Sequence, residues 1–108
     1  MDAFEILDLI DEQEVRGERY YEFFSAKTLS LGIYQLAAEE DDPQQPHTED
    51  EIYYIVSGRG QIVVGEEDQS VEPGSIIFVE AGVEHRFHFI EEDLTILVIF
   101  APARGSQA

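Results

Sequence analysis

The stretch PQQPHTEDEIYYIVSGRG, Pro43 to Gly60, places one histidine and several carboxylates directly before a run of β-branched and aromatic residues. A run of this kind predicts a β-strand, and the Gly-Arg-Gly sequence after it predicts a turn. Successive side chains of a strand point to opposite faces, so Glu51 shares a face with Tyr53 and Ile55. We therefore expect the Glu51 carboxylate to point into the protein.

Strand-like runs continue on both sides of this stretch and are separated by sequences rich in glycine, proline and acidic residues. The predicted strands are YYEFF (20–24), LSLGIYQLA (29–37), EIYYIVS (51–57), QIVV (61–64), SIIFVE (75–80), HRFHFI (85–90) and LTILVIF (94–100). Turns are predicted at 58–60, 65–68, 72–75, 80–82 and 91–93. Short strands at this spacing indicate an all-β antiparallel sandwich or barrel.

The length of 108 residues leaves room for a single domain with one core. Residues 1–36 are predicted to form an N-terminal extension and the first strands, residues 37–102 the core barrel, and residues 103–108 a flexible tail. Within the extension, the apolar positions of residues 3–10 fit a short amphipathic helix. An edge strand fits the same residues almost as well.

The charge balance is strongly acidic, with 24 acidic against 6 basic residues and a net charge of −18. Such a chain repels phosphate backbones and anionic lipids, so we expect neither nucleic acid nor a membrane as partner. An acidic surface with a single lysine, Lys27, fits either high solubility or adaptation to high salt. There is no cysteine, which excludes disulfides and thiolate metal sites. The first twenty residues lack the features of a secretory signal, which predicts a cytoplasmic location.

A second histidine stands in the segment VEHRFHFI. His85 shares its strand face with Phe87 and Phe89, so we expect the imidazole to point inward. A barrel that closes the strand of Glu51 near the strand of His85 would bring these side chains and His47 together. Two imidazoles and one carboxylate form a ligand set suited to Fe(II), Mn(II), Zn(II) or Ni(II), with coordination positions left open.

The first of these two stretches resembles the first motif of the cupin family. That motif runs His-x-His, three or four residues, Glu, six residues, Gly. Here it is matched by Gln45, His47, Glu51 and Gly58, with glutamine in place of the first histidine.

The second stretch resembles the second cupin motif, which runs Gly, five residues, Pro-x-Gly, two residues, His, three residues, Asn. The match extends from Gly74 to His85, with Glu80 in place of the motif proline and Phe89 in place of the asparagine. These two departures fall on structural positions. The resemblance covers about residues 43 to 89.

The resemblance implies an antiparallel double-stranded jelly-roll barrel that holds a divalent metal ion, either manganese, iron, zinc or nickel. His47, Glu51 and His85 are the ligands that it implies. Gln45 is either a fourth ligand, as in the Gln-x-His pair of the phosphomannose isomerases, or a hydrogen-bonding residue beside a three-ligand site.

Two classes of function follow from the resemblance, because cupins include dioxygenases and isomerases as well as non-catalytic binding proteins. The first is a metal-dependent small-molecule enzyme, and the second is a small-molecule-binding or sensor protein. Tyr53 and Glu84 are the only candidates for acid-base catalysis that the motifs suggest. We expect a small-molecule ligand inside the barrel and a homodimer, since exposed strand edges are usually paired or covered.

The remaining polar and aromatic residues near the motifs are given ordinary structural roles. His88 has the opposite parity to His85 and is predicted to be a surface or interface residue. Glu49 and Asp50 are predicted to be solvated loop carboxylates, and Tyr54 is predicted to line the core or the cavity.

Overall fold

The computed structural model describes residues 1–43 and 46–105. One helix precedes six antiparallel strands, and the sheet pairs them in the order β1-β2-β6-β3-β4, with β5 added beside β3. The elements are α1 (Ile6–Arg16), β1 (Tyr20–Ser25), β2 (Ser30–Leu36), β3 (Asp50–Val64), β4 (Glu67–Val71), β5 (Ile76–Val79) and β6 (His85–Ala101). The all-β prediction is confirmed. Within these residues no helix has the length and the apolar character needed to cross a membrane.

The N-terminal segment is a helix rather than an edge strand, and it lies further along the chain than the predicted residues 3–10. It ends at Gly17, whose φ of 68° gives the left-handed conformation that glycine adopts at helix ends. The buried amide of Gln13 docks the helix, because its nitrogen donates to the carbonyls of Glu18, Arg19 and Ile33. Leu7, predicted to lie on the apolar face, is exposed.

Two long strands, β3 and β6, lie side by side at the centre of the sheet. They pair along nearly their whole length, from Asp50 with Ala101 to Val64 with His85. Residues 58–60 and 91–93 therefore lie inside strands, and the turns predicted there are wrong. Instead, the β3 to β6 register shifts three times between Ile55 and Gln61, and at this point the paired strands bend.

Glycine permits this bend. Gly58 has a φ of 97°, and a Cβ at this position would collide with the backbone carbonyl oxygen of Asp93 on β6. Arg59 spans the outside of the bend and forms exposed ion pairs with Glu72 at 2.9 Å and Glu92 at 3.4 Å. The bend folds the two halves of the β3 and β6 pair over a shared core.

The antiparallel sheet curves around the core as predicted, but it is not closed. In the described part of the chain, β1 and β4 form the two ends of the strand order and do not pair with each other. The apolar face curves around a core that β2, β3 and β6 supply in largest part. Its members are Tyr34, Leu36, Tyr53, Ile55, Ile62, Val71, Val79, Phe87, Ile90, Leu94, Ile96, Val98 and Phe100.

Alternation along β6 is interrupted at Phe89. This residue has a φ of 45° and is 76% exposed, although its parity with His85 predicted an inward position. The positive φ shifts the alternation by one residue, so that Ile90 is buried instead. Tyr54 is also exposed, because it has the opposite parity to the buried Tyr53.

Candidate metal centre

Three side chains from separate parts of the chain meet at one end of the core. His47 lies in the loop before β3, Glu51 near the start of β3, and His85 at the start of β6. Their potential ligand atoms all lie within 4.8 Å of one another. Glu51 and His85 are buried and His47 is half-buried. The structure thus brings together the three described members of the predicted ligand set.

The orientation of His85 is fixed by its backbone neighbour. Its Nδ1 lies 2.9 Å from the carbonyl oxygen of Val83. Because a carbonyl can only accept a hydrogen bond, Nδ1 carries the proton and the lone pair of the neutral ring is on Nε2. That nitrogen lies 3.2 Å from Oε1 of Glu51.

With His85 neutral, neither of these two facing atoms has a hydrogen-bond partner among the described residues. A carboxylate oxygen and an imidazole lone pair both carry negative charge density, and both side chains are almost fully buried. Such a contact is unfavourable unless a cation or a proton lies between the two atoms. The donor set of two imidazoles and one carboxylate fits a divalent transition metal.

The two imidazoles differ in their proton affinity. Burial lowers the pKa of His47 below the usual value for histidine. Burial also opposes the charged form of His85, but the adjacent Glu51 side chain and the Val83 carbonyl together raise its pKa above the usual value. At neutral pH, His47 therefore provides an unprotonated ring nitrogen for a metal more readily than His85 does.

Hydrogen bonds between loops hold the site together. The amide of Gly82 donates to the carbonyl of His47 at 2.7 Å, and the amide of Ala81 donates to Asp50 at 2.9 Å. The loop before β6 is thereby tied to the loop that carries His47. The imidazole of His47 packs edge-on against Phe100, with ring centroids 5.0 Å apart.

A cavity of about 320 Å³ opens beside the cluster. His47 and Glu51 belong to its lining, together with aromatic and aliphatic side chains. Its lining residues are Arg19, Tyr20, Tyr34, Pro43, His47, Glu51, Val98, Phe100 and Arg104. A larger cavity of about 910 Å³ lies around residues 38–41 and 86–91 and includes none of the three cluster residues.

The other predicted site residues are placed away from this cavity or outside the described residues. Gln45 lies outside the described residues. Tyr53 is fully buried in the core, with its ring centroid 6.0 Å from that of His85. Glu84 is exposed and is not part of the cluster. His88, predicted to lie at the surface, is half-buried, and its Nε2 lies 2.8 Å from Asp68.

Two buried carboxylates near the site were not expected from the sequence. Glu49, predicted to be solvated, is buried and accepts a hydrogen bond from the hydroxyl of Thr48. Asp42 is also buried and accepts hydrogen bonds from the Tyr34 hydroxyl at 2.6 Å and the Phe87 amide at 2.8 Å. Both lie in an acidic loop, where composition alone predicts solvation.

The family profile described as "Cupin domain" matches residues 32–100. The chain belongs to the cupin family.

Relatives support this assignment. An uncharacterized protein of Streptomyces coelicolor is 44% identical over 102 residues, which cover 94% of this chain and 97% of that protein. Acireductone dioxygenase 2 of Arabidopsis thaliana is 31% identical over 85 residues, which cover 74% of this chain but only 44% of the plant protein. The crystal structure of TT1209 from Thermus thermophilus superposes with a TM-score of 0.77 at 22% identity, covering 95% of this chain and 99% of that one.

Proposed function

We propose that this cupin binds one divalent metal ion through His47, Glu51 and His85 and acts on a small molecule as a metal-dependent enzyme. The observation that carries the proposal is the 3.2 Å approach of Glu51 Oε1 to His85 Nε2. Gln45 is a possible fourth ligand. The candidate metals are manganese, iron, nickel and zinc, all of which accept this ligand set.

The reaction class that we propose is dioxygenase-like or isomerase-like. A metal bound at this site would supply a Lewis acid or a redox centre next to the cavity. The similarity of most of this chain to acireductone dioxygenases favours the dioxygenase-like class. The chain's own contribution is to orient His85 through Val83 and to limit water with the apolar side chains of Val98 and Phe100 in the cavity lining.

A second candidate is a small-molecule-binding or sensor protein without catalytic turnover. One observation favours it: of the two side chains predicted for acid-base catalysis, Tyr53 is buried in the core and Glu84 is exposed. Neither lines the cavity beside the cluster. Absorbance assays of the iron-loaded and nickel-loaded protein with an acireductone separate the two candidates. Consumption supports the enzyme, and binding without consumption supports the sensor.

Elemental analysis of the untagged protein tests the metal site. We expect about one metal ion per chain after metal addition and a loss of most of it in His47→Ala and in His85→Ala. His88→Ala is the matched control, because this histidine faces Asp68 outside the cluster and its loss should leave the metal content unchanged. A content near zero in the wild type, or an unchanged content in His47→Ala with His85→Ala, would refute the site.

We also propose that the protein is a homodimer and that it is located in the cytoplasm. The location is a prediction from the sequence. The dimer has support from an exposed apolar surface on β3 and β5, defined by Ile52, Tyr54, Ile76 and Phe78.

A further inference from the structure

The lining of the cavity beside the metal cluster includes two polar side chains that have no carboxylate partner among the described residues. Of its other polar lining residues, Arg19 forms an ion pair with Glu40 at 2.8 Å, and the Tyr34 hydroxyl donates to Asp42 at 2.6 Å. The hydroxyl of Tyr20 and the guanidinium of Arg104 remain. Both belong to the cavity lining.

The Tyr20 hydroxyl is a buried donor without a hydrogen-bond partner in the described part of the chain. The ring lies directly over Gly32 of β2, so that a Cβ there would collide with the phenol. It packs edge-on against Phe100, with centroids 6.3 Å apart. Because Gly32 has no side chain, the ring of Tyr20 fits at this position. No described side chain forms a hydrogen bond with the Tyr20 hydroxyl. A buried donor of this kind needs a partner such as a ligand oxygen.

The guanidinium of Arg104 lies over the same ring, with Cζ 4.8 Å from the Tyr20 centroid. No carboxylate forms an ion pair with it among residues 1–43 and 46–105, although the chain has 24 acidic residues. The planar fork of an arginine matches a carboxylate in two parallel hydrogen bonds. Tyr20 and Arg104 therefore place two donors for the same kind of anion side by side.

We propose that the cavity binds a small organic acid, with one carboxylate held by Arg104 and the Tyr20 hydroxyl and a chelating group directed toward His47 and Glu51. The proposal rests on the proposed function, because the second contact needs the metal. A volume of about 320 Å³ suits a small metabolite.

The net charge of −18 argues against an anionic ligand at long range, but the local field differs. Arg104 lines this cavity without an ion-pair partner among the described residues, whereas the charge of Arg19 is already paired with Glu40. A divalent cation bound by His47 and Glu51 would add to the positive potential of Arg104. With a metal ion bound, the cavity would therefore attract a carboxylate despite the acidic character of the protein as a whole.

Calorimetric titration of the metal-loaded protein with matched pairs of acids tests the proposal. The diacids are 2-oxoglutarate, 2-oxoadipate and 2-oxopimelate, and each is compared with the 2-oxo monoacid of the same chain length. Each pair shares the chelating end and differs in the distal carboxylate. We expect at least one diacid to bind about tenfold more tightly than its monoacid, the size of effect typical of a charged hydrogen bond. No preference in any pair would overturn the proposal.

Variants assign the preference to the two residues. Arg104→Gln and Tyr20→Phe should each remove most of it, and Tyr20→Phe keeps the packing over Gly32 and against Phe100 if the arginine variant folds poorly. Arg59→Gln is the control, because it removes the same charge at the exposed bend of β3 and should keep the preference. A preference that persists in Tyr20→Phe and Arg104→Gln refutes the assignment.

Failure of this inference can be distinguished from failure of the metal site. Metal content is measured on the same samples, and the titrations are repeated with chelator-treated protein. If the wild type holds metal but shows no preference for diacids, the inference is wrong and the metal site stands. If the wild type holds no metal but still binds diacids in an Arg104-dependent way, the carboxylate subsite stands and the proposed function is wrong.

Discussion

The contact between Glu51 and His85 is a single pair of atoms on which the proposed metal site depends. With Nδ1 of His85 donating to Val83 and the ring neutral, the facing atoms are a carboxylate oxygen and a ring lone pair, and either a proton or a metal ion between them relieves the contact. A proton would serve Glu51 and His85 alone, whereas a metal ion would also use His47, whose potential ligand atom lies within 4.8 Å of the other two.

Glu51→Gln tests this interpretation. Its amide can donate to His85 Nε2, so at pH values above the pKa of His85 the metal-free variant should be at least as stable as the metal-free wild type. Metal should then stabilise the wild type but not Glu51→Gln. The expected gain in the free energy of unfolding of the wild type is about 2.7 kcal/mol when the metal concentration is 100 times the dissociation constant. Thermal unfolding with and without manganese or zinc measures both effects.

Glu84→Gln serves as the control for this substitution. It makes the same chemical change in an exposed side chain next to His85, so it should keep the full stabilisation by metal. Equal stabilisation of Glu51→Gln and the wild type by metal would contradict the role of the carboxylate.

At the scale of the elements, the bend in β3 and β6 assembles the site. Glu51 is paired near one end of the two strands, opposite Phe100, and His85 near the other end, opposite Val64. In a straight pair of strands these two positions would lie about 40 Å apart at the usual rise per residue. The bend reduces the distance between their facing atoms to 3.2 Å.

Gly58→Ala should therefore damage both the fold and the site. The new Cβ would need a φ of 97° and would collide with the Asp93 carbonyl. We expect a loss of about 3 kcal/mol or more in the free energy of unfolding, together with weaker metal binding. Urea unfolding and metal titration measure the two effects.

Gly74→Ala is the matched control for the bend. Gly74 has nearly the same φ, 95°, but no described atom lies within 4 Å of its Cβ position. It should lose only the conformational part, about 1 to 2 kcal/mol, and keep the metal affinity. Equal losses of stability and of metal affinity in the two variants would show that the close approach of the strands at Asp93 contributes to neither property.

At the scale of the whole molecule, the apolar surface on β3 and β5 predicts a dimer. Ile52 faces Phe78 and Tyr54 faces Ile76 across the two strands. β5 pairs with β3 alone among the described strands, so its other edge is open for a second copy. Light scattering should give twice the chain mass of 12.3 kDa.

Phe78→Glu should convert the dimer to a monomer, because it places a charge in the centre of this surface. Phe89→Glu is the control, since Phe89 is also exposed but lies on β6 outside the surface. A wild-type mass of one chain at high concentration would end the dimer proposal.

The acidic surface gives a further prediction for the whole molecule. Repulsion among the charges that make up the net −18 should destabilise the fold at low ionic strength, and salt should relieve it by screening. The thermal midpoint should therefore rise along a sodium chloride series from low to molar concentration. A thermal midpoint that does not change with salt would count against adaptation to high salt, but it would not contradict the fold assignment.

The sequence alone determined the all-β class, the inward position of Glu51, and the three residues that meet in the cluster. These features depend on strand alternation and on motif spacing, both of which are local properties of the chain. The same reasoning gave wrong predictions where pairing between distant segments outweighed a local turn signal. The glycines and acidic residues at 58–60 and 91–93 were predicted to end strands, but long-range pairing carries both strands through them.

Only the tertiary structure decided the bend, the open sheet, the burial of Glu49 and Asp42, and the outward turn of Phe89. Each depends on which segment packs against which, and that is a property of contacts between residues far apart in the chain. The cavity with Tyr20 and Arg104 belongs to the same group, because its two donors come from opposite ends of the sequence. A local pattern can predict which face a side chain takes, but only the packed sheet brings that face to its partners.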